Sequence, residues 1–119
     1  MSVDGMKIGV PIMAPDGLAS EVNEHFGMSE YFALLEVEGD KIVKVEVLED
    51  SPSLKERKTP AEVLAGHGVK IVLAGGIGPH MVKELLDRGV RIFRGAAGTV
   101  EQAFEDYKAG MLSEVRTLE

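Results

Sequence analysis

The residues best suited to chemistry lie in a glycine-dense stretch, residues 74–80, between an apolar run and a helix-like segment. Gly75, Gly76 and Gly78 would let a ligand approach the backbone closely, and glycine also permits the positive φ of tight turns. Because Pro79 suits the first helical position, unpaired N–H groups and the positive end of the helix dipole would face an anion there. The same residues can also form a tight strand-to-helix connection without a ligand. The stretch matches neither the dinucleotide-binding fingerprint nor the phosphate-binding P-loop.

A second candidate is His25, which stands with Gly27 near the end of a long loop over residues 14–28. A neutral imidazole can ligate a metal or donate to an anion, although a histidine in a surface turn is an equally good reading of this tripeptide alone. Loops that leave the carboxyl ends of adjacent parallel strands open into one crevice. We therefore expect His25 and His80 to face the same cleft as possible metal ligands, with Arg94 on its rim as a charge partner for an anion.

Composition limits the classes of protein to consider. The chain of 119 residues is 45% hydrophobic, which fits a single domain over residues 1–119, with a flexible N-terminus at 1–5 and a C-terminal tail at 113–119. The absence of cysteine excludes disulfides and cysteine-ligated metal sites. A net charge of −7 without a basic cluster argues against nucleic acid as a partner. Without a long apolar run or a signal peptide, we expect a cytoplasmic protein with no membrane contact.

The first half of the chain predicts a buried strand followed by a hairpin. Residues 6–13 are apolar at most positions, as in a strand covered on both faces. Two alternating runs, 31–38 and 41–48, flank a Gly-Asp pair, which is a hairpin signal. Simple alternation places Ile42 and Lys44 on one face of the second run and its valines on the other, as suits an edge strand.

The second half predicts helices alternating with short strands. Polar residues 49–58 read as a linker, and a capping box beginning at Thr59 starts a helix that ends near Ala65. We expect strands over 69–73 and 90–93, a helix over 79–88, and a last helix that Thr99 caps and Gly110 ends. A short hairpin followed by right-handed crossovers gives a mixed sheet.

The predicted fold class is therefore α/β, a ribonuclease H-like three-layer arrangement. Its mixed sheet has five strands with the first strand central, and about three helices cover its faces. Nucleases of this architecture hold divalent metals with carboxylates near the central strand, and residues 6–13 contain none. Nuclease activity is not expected.

An ordered series of short motifs is similar to the dinitrogenase iron-molybdenum cofactor biosynthesis family, which comprises NifX-like proteins and the C-terminal domain of NifB-type proteins. The resemblance extends from Met6 to about Leu112. The motifs are MKIGVPI at residues 6–12, DGL at 16–18, HFG at 25–27, GGIGP at 75–79, GV at 89–90, GAAGTV at 95–100 and YKAGML at 107–112.

The resemblance implies a ribonuclease H-like fold and non-enzymatic binding of iron-sulfur or molybdenum-containing cluster precursors, with His25 as the nominated ligand. His80 departs from many relatives, which carry arginine or another residue there. We expect a carrier or scaffold that transiently holds an anionic iron-sulfur or iron-molybdenum cluster and exchanges it with donor and acceptor proteins. Two alternatives remain: an interaction or regulatory module with a vestigial cleft, and a small-molecule enzyme that uses the same glycine loop.

Overall fold

The fold is a six-stranded sheet with three helices, seen in a computed structural model that describes residues 5–49 and 59–116. The strands are β1 Met6–Ile12, β2 Tyr31–Glu38, β3 Lys41–Glu49, β4 Ile71–Ala74, β5 Arg91–Arg94 and β6 Ser113–Val115. The helices are α1 Pro60–Gly66, α2 Pro79–Asp87 and α3 Val100–Lys108, and two short 3-10 turns cover Gly17–Ala19 and Phe26–Met28. Residues 1–4, most of the predicted linker and residues 117–119 of the predicted tail lie outside the described residues.

The strand order is β3-β2-β1-β4-β5-β6, so β1 is an interior strand. It pairs antiparallel with β2 on one side and parallel with β4 on the other. The pairing of β4 with β5 is also parallel, whereas β3 and β6 add antiparallel strands at the two edges. The carboxyl ends of β1, β4 and β5 therefore run out at the same edge of the sheet.

The prediction of five strands was wrong, because β6 forms within the segment expected to be a tail. It contains only three residues, Ser113–Val115, and its short polar sequence carries no strand periodicity. A tertiary contact holds it: Arg91 on β5 donates two hydrogen bonds to Glu114, at 2.9 and 3.1 Å. Cross-strand pairing, and not local propensity, makes this segment a strand.

Helices cover both faces of the sheet, and an apolar cluster lies between each face and its helices. On one face, α3 packs Val100, Ala103 and Phe104 against the odd-numbered side of β2 and the even-numbered side of β1. On the other, α1 and α2 contribute Leu64 and Leu85 to a cluster with β2, β4 and β5. Helix α1 begins at the predicted capping box, in which Thr59 and Glu62 bond reciprocally. No described helix has the length and apolar character needed to cross a membrane.

The alternation predicted for β3 was wrong, although the strand does lie at an edge. Glu36 pairs with Lys44 and Val37 pairs with Ile42, so Val43 is an extra residue in a β-bulge. Because of the extra residue, Ile42 lies on the same face of β3 as Val45, and both pack against the core. Val43 remains 54% exposed.

Candidate functional site

The loop after β1 carries His25 to the edge of the sheet and holds it there. Its neighbour Phe26 is 1% exposed and packs edge-on against Phe32, with ring centroids 5.4 Å apart. The hydroxyl of Ser29, also buried, lies 3.1 Å from the carbonyl oxygen of Ile12 and 2.7 Å from that of Tyr31. These anchors fix both ends of the turn, so His25 has a defined backbone position although its side chain is exposed.

The glycine loop after β4 is joined directly to the His25 loop. Gly76 donates its N–H to the carbonyl of Glu24 at 3.0 Å, and Phe26 donates to the carbonyl of Gly76 at 3.3 Å. His25 and Gly76 thus form an isolated parallel bridge. The sequence expectation that these two loops share one edge of the sheet is met by this geometry.

Two of the glycines are required by neighbouring backbone. A Cβ on Gly76 would lie 2.7 Å from the carbonyl oxygen of Glu24, and one on Gly75 would lie 3.1 Å from that of Ala96. Gly78 differs, because it is the N-cap of α2 and a Cβ there would meet nothing within 4 Å. None of the three has positive φ, so left-handed backbone does not explain the glycines of this loop. Close contact between loops, not turn conformation, explains Gly75 and Gly76.

Three loops enclose an open cleft of about 650 Å³ at the carboxyl ends of β1, β4 and β5. From the His25 loop it is lined by Glu24, His25, Gly27 and Met28, from the glycine loop by residues 75–78, and from the loop after β5 by residues 95–97. Five predicted site residues therefore line one cleft: His25, Gly27, Gly75, Gly76 and Gly78.

His80 and Arg94, the other two predicted site residues, are not among the residues that line the cleft. His80 lies exposed in the first turn of α2. The Arg94 side chain extends toward the glycine loop, where Nη2 lies 3.4 Å from the carbonyl oxygen of Ile77. Arg94 thus places a positive charge beside the loop, as expected for a rim residue.

The cleft contains two side chains whose positions the sequence did not predict. Glu24 brings a carboxylate, and no short motif distinguishes it from any other loop glutamate. Met28 is 80% exposed and also lines the cleft. Met28 and His25 thus give the lining of the cleft both a soft ligand and a borderline one.

Some polar groups at the cleft are not used in hydrogen bonds among the described residues and could bind a ligand. Across residues 5–49 and 59–116, no protein group hydrogen-bonds to the His25 imidazole or accepts from the N–H of Ile77 or Gly78. Within the same ranges no three His, Asp or Glu side chains are grouped to hold a metal ion. Besides its backbone donors, the cleft offers one imidazole, one carboxylate and one thioether, which are fewer ligands than a structural zinc or a calcium site uses.

Comparisons with known proteins agree with this architecture. The chain is 24% identical over 117 residues to an uncharacterised protein of Methanocaldococcus jannaschii, covering 96% of this chain and 95% of that one. The apo form of the orange protein from Desulfovibrio gigas superposes with a TM-score of 0.77 at 24% identity, covering 94% of each chain. A Thermotoga protein provisionally named NifB superposes with a TM-score of 0.71 at 26% identity, covering 92% of each chain.

A family match extends through nearly all of the described fold. Residues 6–110 match the family described as dinitrogenase iron-molybdenum cofactor, a span that runs from the start of β1 to the turn after α3. It includes every residue that lines the cleft. The chain belongs to the dinitrogenase iron-molybdenum cofactor family.

Proposed function

We propose that this protein is a carrier or scaffold that reversibly binds an anionic iron-sulfur or iron-molybdenum cluster, or its precursor, and catalyses no reaction. One observation carries the proposal: among the described residues, the His25 imidazole and the N–H groups of Ile77 and Gly78 have no hydrogen-bond partner, and these three residues line the same open cleft. Membership of the dinitrogenase iron-molybdenum cofactor family supports the class of cargo. The orange protein, a neighbour in fold, is described in its apo form, a term that presupposes a bound group.

The donor set fits a cluster better than it fits a bare ion. The metals of a preassembled cluster are already ligated by its sulfides, so one protein imidazole and a few hydrogen bonds are enough to hold it. A permanent iron-sulfur site would use several cysteine thiolates, and this chain has no cysteine. Weak anchoring in an open cleft suits cargo that must be accepted from one protein and released to another.

The cleft has both positive and negative groups near it, and these act in opposite directions on a bound anion. The N-terminus of α2 and the guanidinium of Arg94 favour an anion beside the glycine loop. The Glu24 carboxylate opposes one, and so does the net charge of −7. We assign the metal-ligand role to His25, and we give His80 no direct contact with the cargo because it does not line the cleft.

The proposal is tested by isolating the protein anaerobically and measuring its iron and molybdenum content and its visible absorption, before and after incubation with ferrous iron, sulfide and molybdate. We expect the parent protein to take up a coloured metal-sulfur species. His25→Ala should lose most of this uptake without a change in melting temperature, because His25 is exposed. His67→Ala is the matched control, since His67 is another exposed histidine but caps the end of α1 outside the cleft.

The substitution Glu24→Gln tests whether the bound cargo is an anion. Removing the carboxylate while keeping the backbone bond to Gly76 should strengthen uptake if the cargo is anionic. Equal uptake by the parent protein and His25→Ala would contradict the assigned ligand. A parent protein that takes up no metal under any of these conditions would favour an interaction module with a vestigial cleft.

A further inference from the structure

The outer strand of the hairpin, β3, has a long outer edge that no strand in the described part of the chain covers. It is nine residues long and ends the sheet on one side, where no other described strand pairs with it. Such an edge offers a row of N–H and C=O groups to any strand that can match it. Val43 and Val47 are 54% and 40% exposed, so the strand also carries apolar surface that the described residues leave in solvent.

The sequence of β3 is complementary to itself when it is read in the opposite direction. The strand reads KIVKVEVLE, with Val45 at its centre. In an antiparallel pair of identical strands centred on Val45, Lys44 of each copy faces Glu46 of the other. The bulge at Val43 takes residues 41–43 out of this simple register, so the complementary centre of the pair is residues 44–46.

The positions of the central side chains favour this register. Lys44 and Glu46 lie on the same face of β3, 3.6 Å apart, with side chains 57% and 46% exposed. Two copies paired about Val45 would bring two lysines and two glutamates together with alternating sign, a network that stabilises more than an isolated surface pair. Residues 44–49 pair regularly with β2, so this part of the edge is undistorted.

The bulge at Val43 and the edge lysines restrict which strands can add to β3. Both features are ways in which proteins prevent indiscriminate edge pairing, and a strand with lysine opposite Lys44 would be repelled. An antiparallel second copy satisfies the charges instead of opposing them. We propose that this protein forms a two-fold symmetric dimer by antiparallel pairing of β3 with β3 of a second copy, which makes one continuous sheet across both molecules.

This dimer is independent of the proposed cargo site. The cleft opens at the carboxyl ends of β1, β4 and β5, whereas the interface is the outer edge of β3. An interface made from one strand of each copy lies at the small end of the range for specific assemblies, so the dimer forms by a concentration-dependent equilibrium.

Sedimentation velocity tests the interface at concentrations from about 1 to about 500 µM, a range that brackets the weak affinities of small interfaces. We expect the parent protein to shift from monomer to dimer over this range. Lys44→Glu and Glu46→Lys should each remain monomeric, because each places like charges opposite one another at the two-fold axis. Lys70→Glu, which makes the same charge change at an exposed residue outside β3, should dimerise like the parent protein.

Mixing the two monomeric variants is the decisive measurement. Lys44→Glu carries two acidic residues and Glu46→Lys two basic residues at these positions, so the mixture should form a heterodimer although neither variant pairs with itself. The ion pair within each strand stays broken in both variants, and recovery therefore reports contact between copies. Glu46→Lys also reduces the net negative charge, so stronger self-association of this variant would show general repulsion and overturn the proposal. A parent protein that stays monomeric throughout, or a mixture that stays monomeric, would overturn it as well.

Discussion

The substitution Gly76→Ala tests whether close contact between loops holds the cleft together. A Cβ at this position would lie 2.7 Å from the carbonyl oxygen of Glu24, and an ordinary contact begins at about 3.4 Å. The atom it meets is backbone and belongs to the bridge that joins the two loops. The loops must therefore separate by about 0.7 Å, or the backbone at Glu24 must rotate its carbonyl away.

The cost follows from the contacts that such a shift would disturb. Overpacking of this kind costs about 1–3 kcal/mol. The two bridge hydrogen bonds, from Gly76 to Glu24 and from Phe26 to Gly76, are each worth about 0.5–1.5 kcal/mol when intact. We expect Gly76→Ala to reduce the free energy of unfolding by about 1–3 kcal/mol, which lowers the melting temperature by roughly 5–15 °C in a domain of this size.

Thermal and urea denaturation followed by circular dichroism measures this loss. Gly27→Ala is the matched control, because Gly27 lines the same cleft, has no positive φ, and would place its Cβ with nothing within 4 Å. It should be neutral or more stable than the parent protein by about 0.4–1 kcal/mol, through the smaller entropy of the unfolded chain. If Gly76→Ala is as stable as Gly27→Ala, the close-contact explanation of the glycine loop is refuted.

Three further predictions concern the elements that support the site. Thr99→Ala should destabilise the fold by about 1 kcal/mol in urea denaturation, since Thr99 Oγ1 accepts the N–H of Gln102 at the start of α3, and Thr99→Ser should retain the parent stability. Ser29→Ala should cost about 1–3 kcal/mol in the same assay, because it removes a buried hydroxyl that can donate to the carbonyl oxygen of either Ile12 or Tyr31; an unchanged midpoint would contradict the anchoring role of Ser29. The hydrogen bonds from Arg91 lower the pKa of Glu114 in the folded protein. The ionised carboxylate therefore stabilises the fold at pH values above the pKa of Glu114 in the unfolded chain, and this stabilisation is lost as the pH falls through the pKa in the folded protein. Glu114→Gln should therefore melt below the parent protein at neutral pH but not in acid, and a difference that persists in acid would show that the loss is not electrostatic.

Much of the fold could be predicted because its signals are local. The apolar run of β1, the turn at residues 39–40 and the capping residues Thr59 and Thr99 each act within a few neighbouring residues. The family could be recognised for the same reason, since its short motifs are contiguous in the chain. These features determined the α/β class, an interior first strand and the ends of the chain's helices.

The cleft itself was predictable only as far as topology allows. Parallel neighbours β1 and β4 bring the loops of His25 and Gly76 to one edge of the sheet, and that follows from strand order. Which side chains then line the cleft depends on the path of each loop. Glu24 lines it and His80 does not, although both stand in loops or turns that the sequence assigns to the same edge.

Tertiary structure alone decided the features that depend on residues far apart in sequence. The strand β6 exists because Glu114 meets Arg91, and the faces of β3 exchange because a bulge at Val43 fits that strand to β2. Gly75 and Gly76 are required by the carbonyl groups of Ala96 and Glu24, which no local pattern places beside them. The local sequence determines which conformation a segment prefers. Strand register, bulges and loop contacts depend instead on residues distant in the sequence, which come together only in the folded chain.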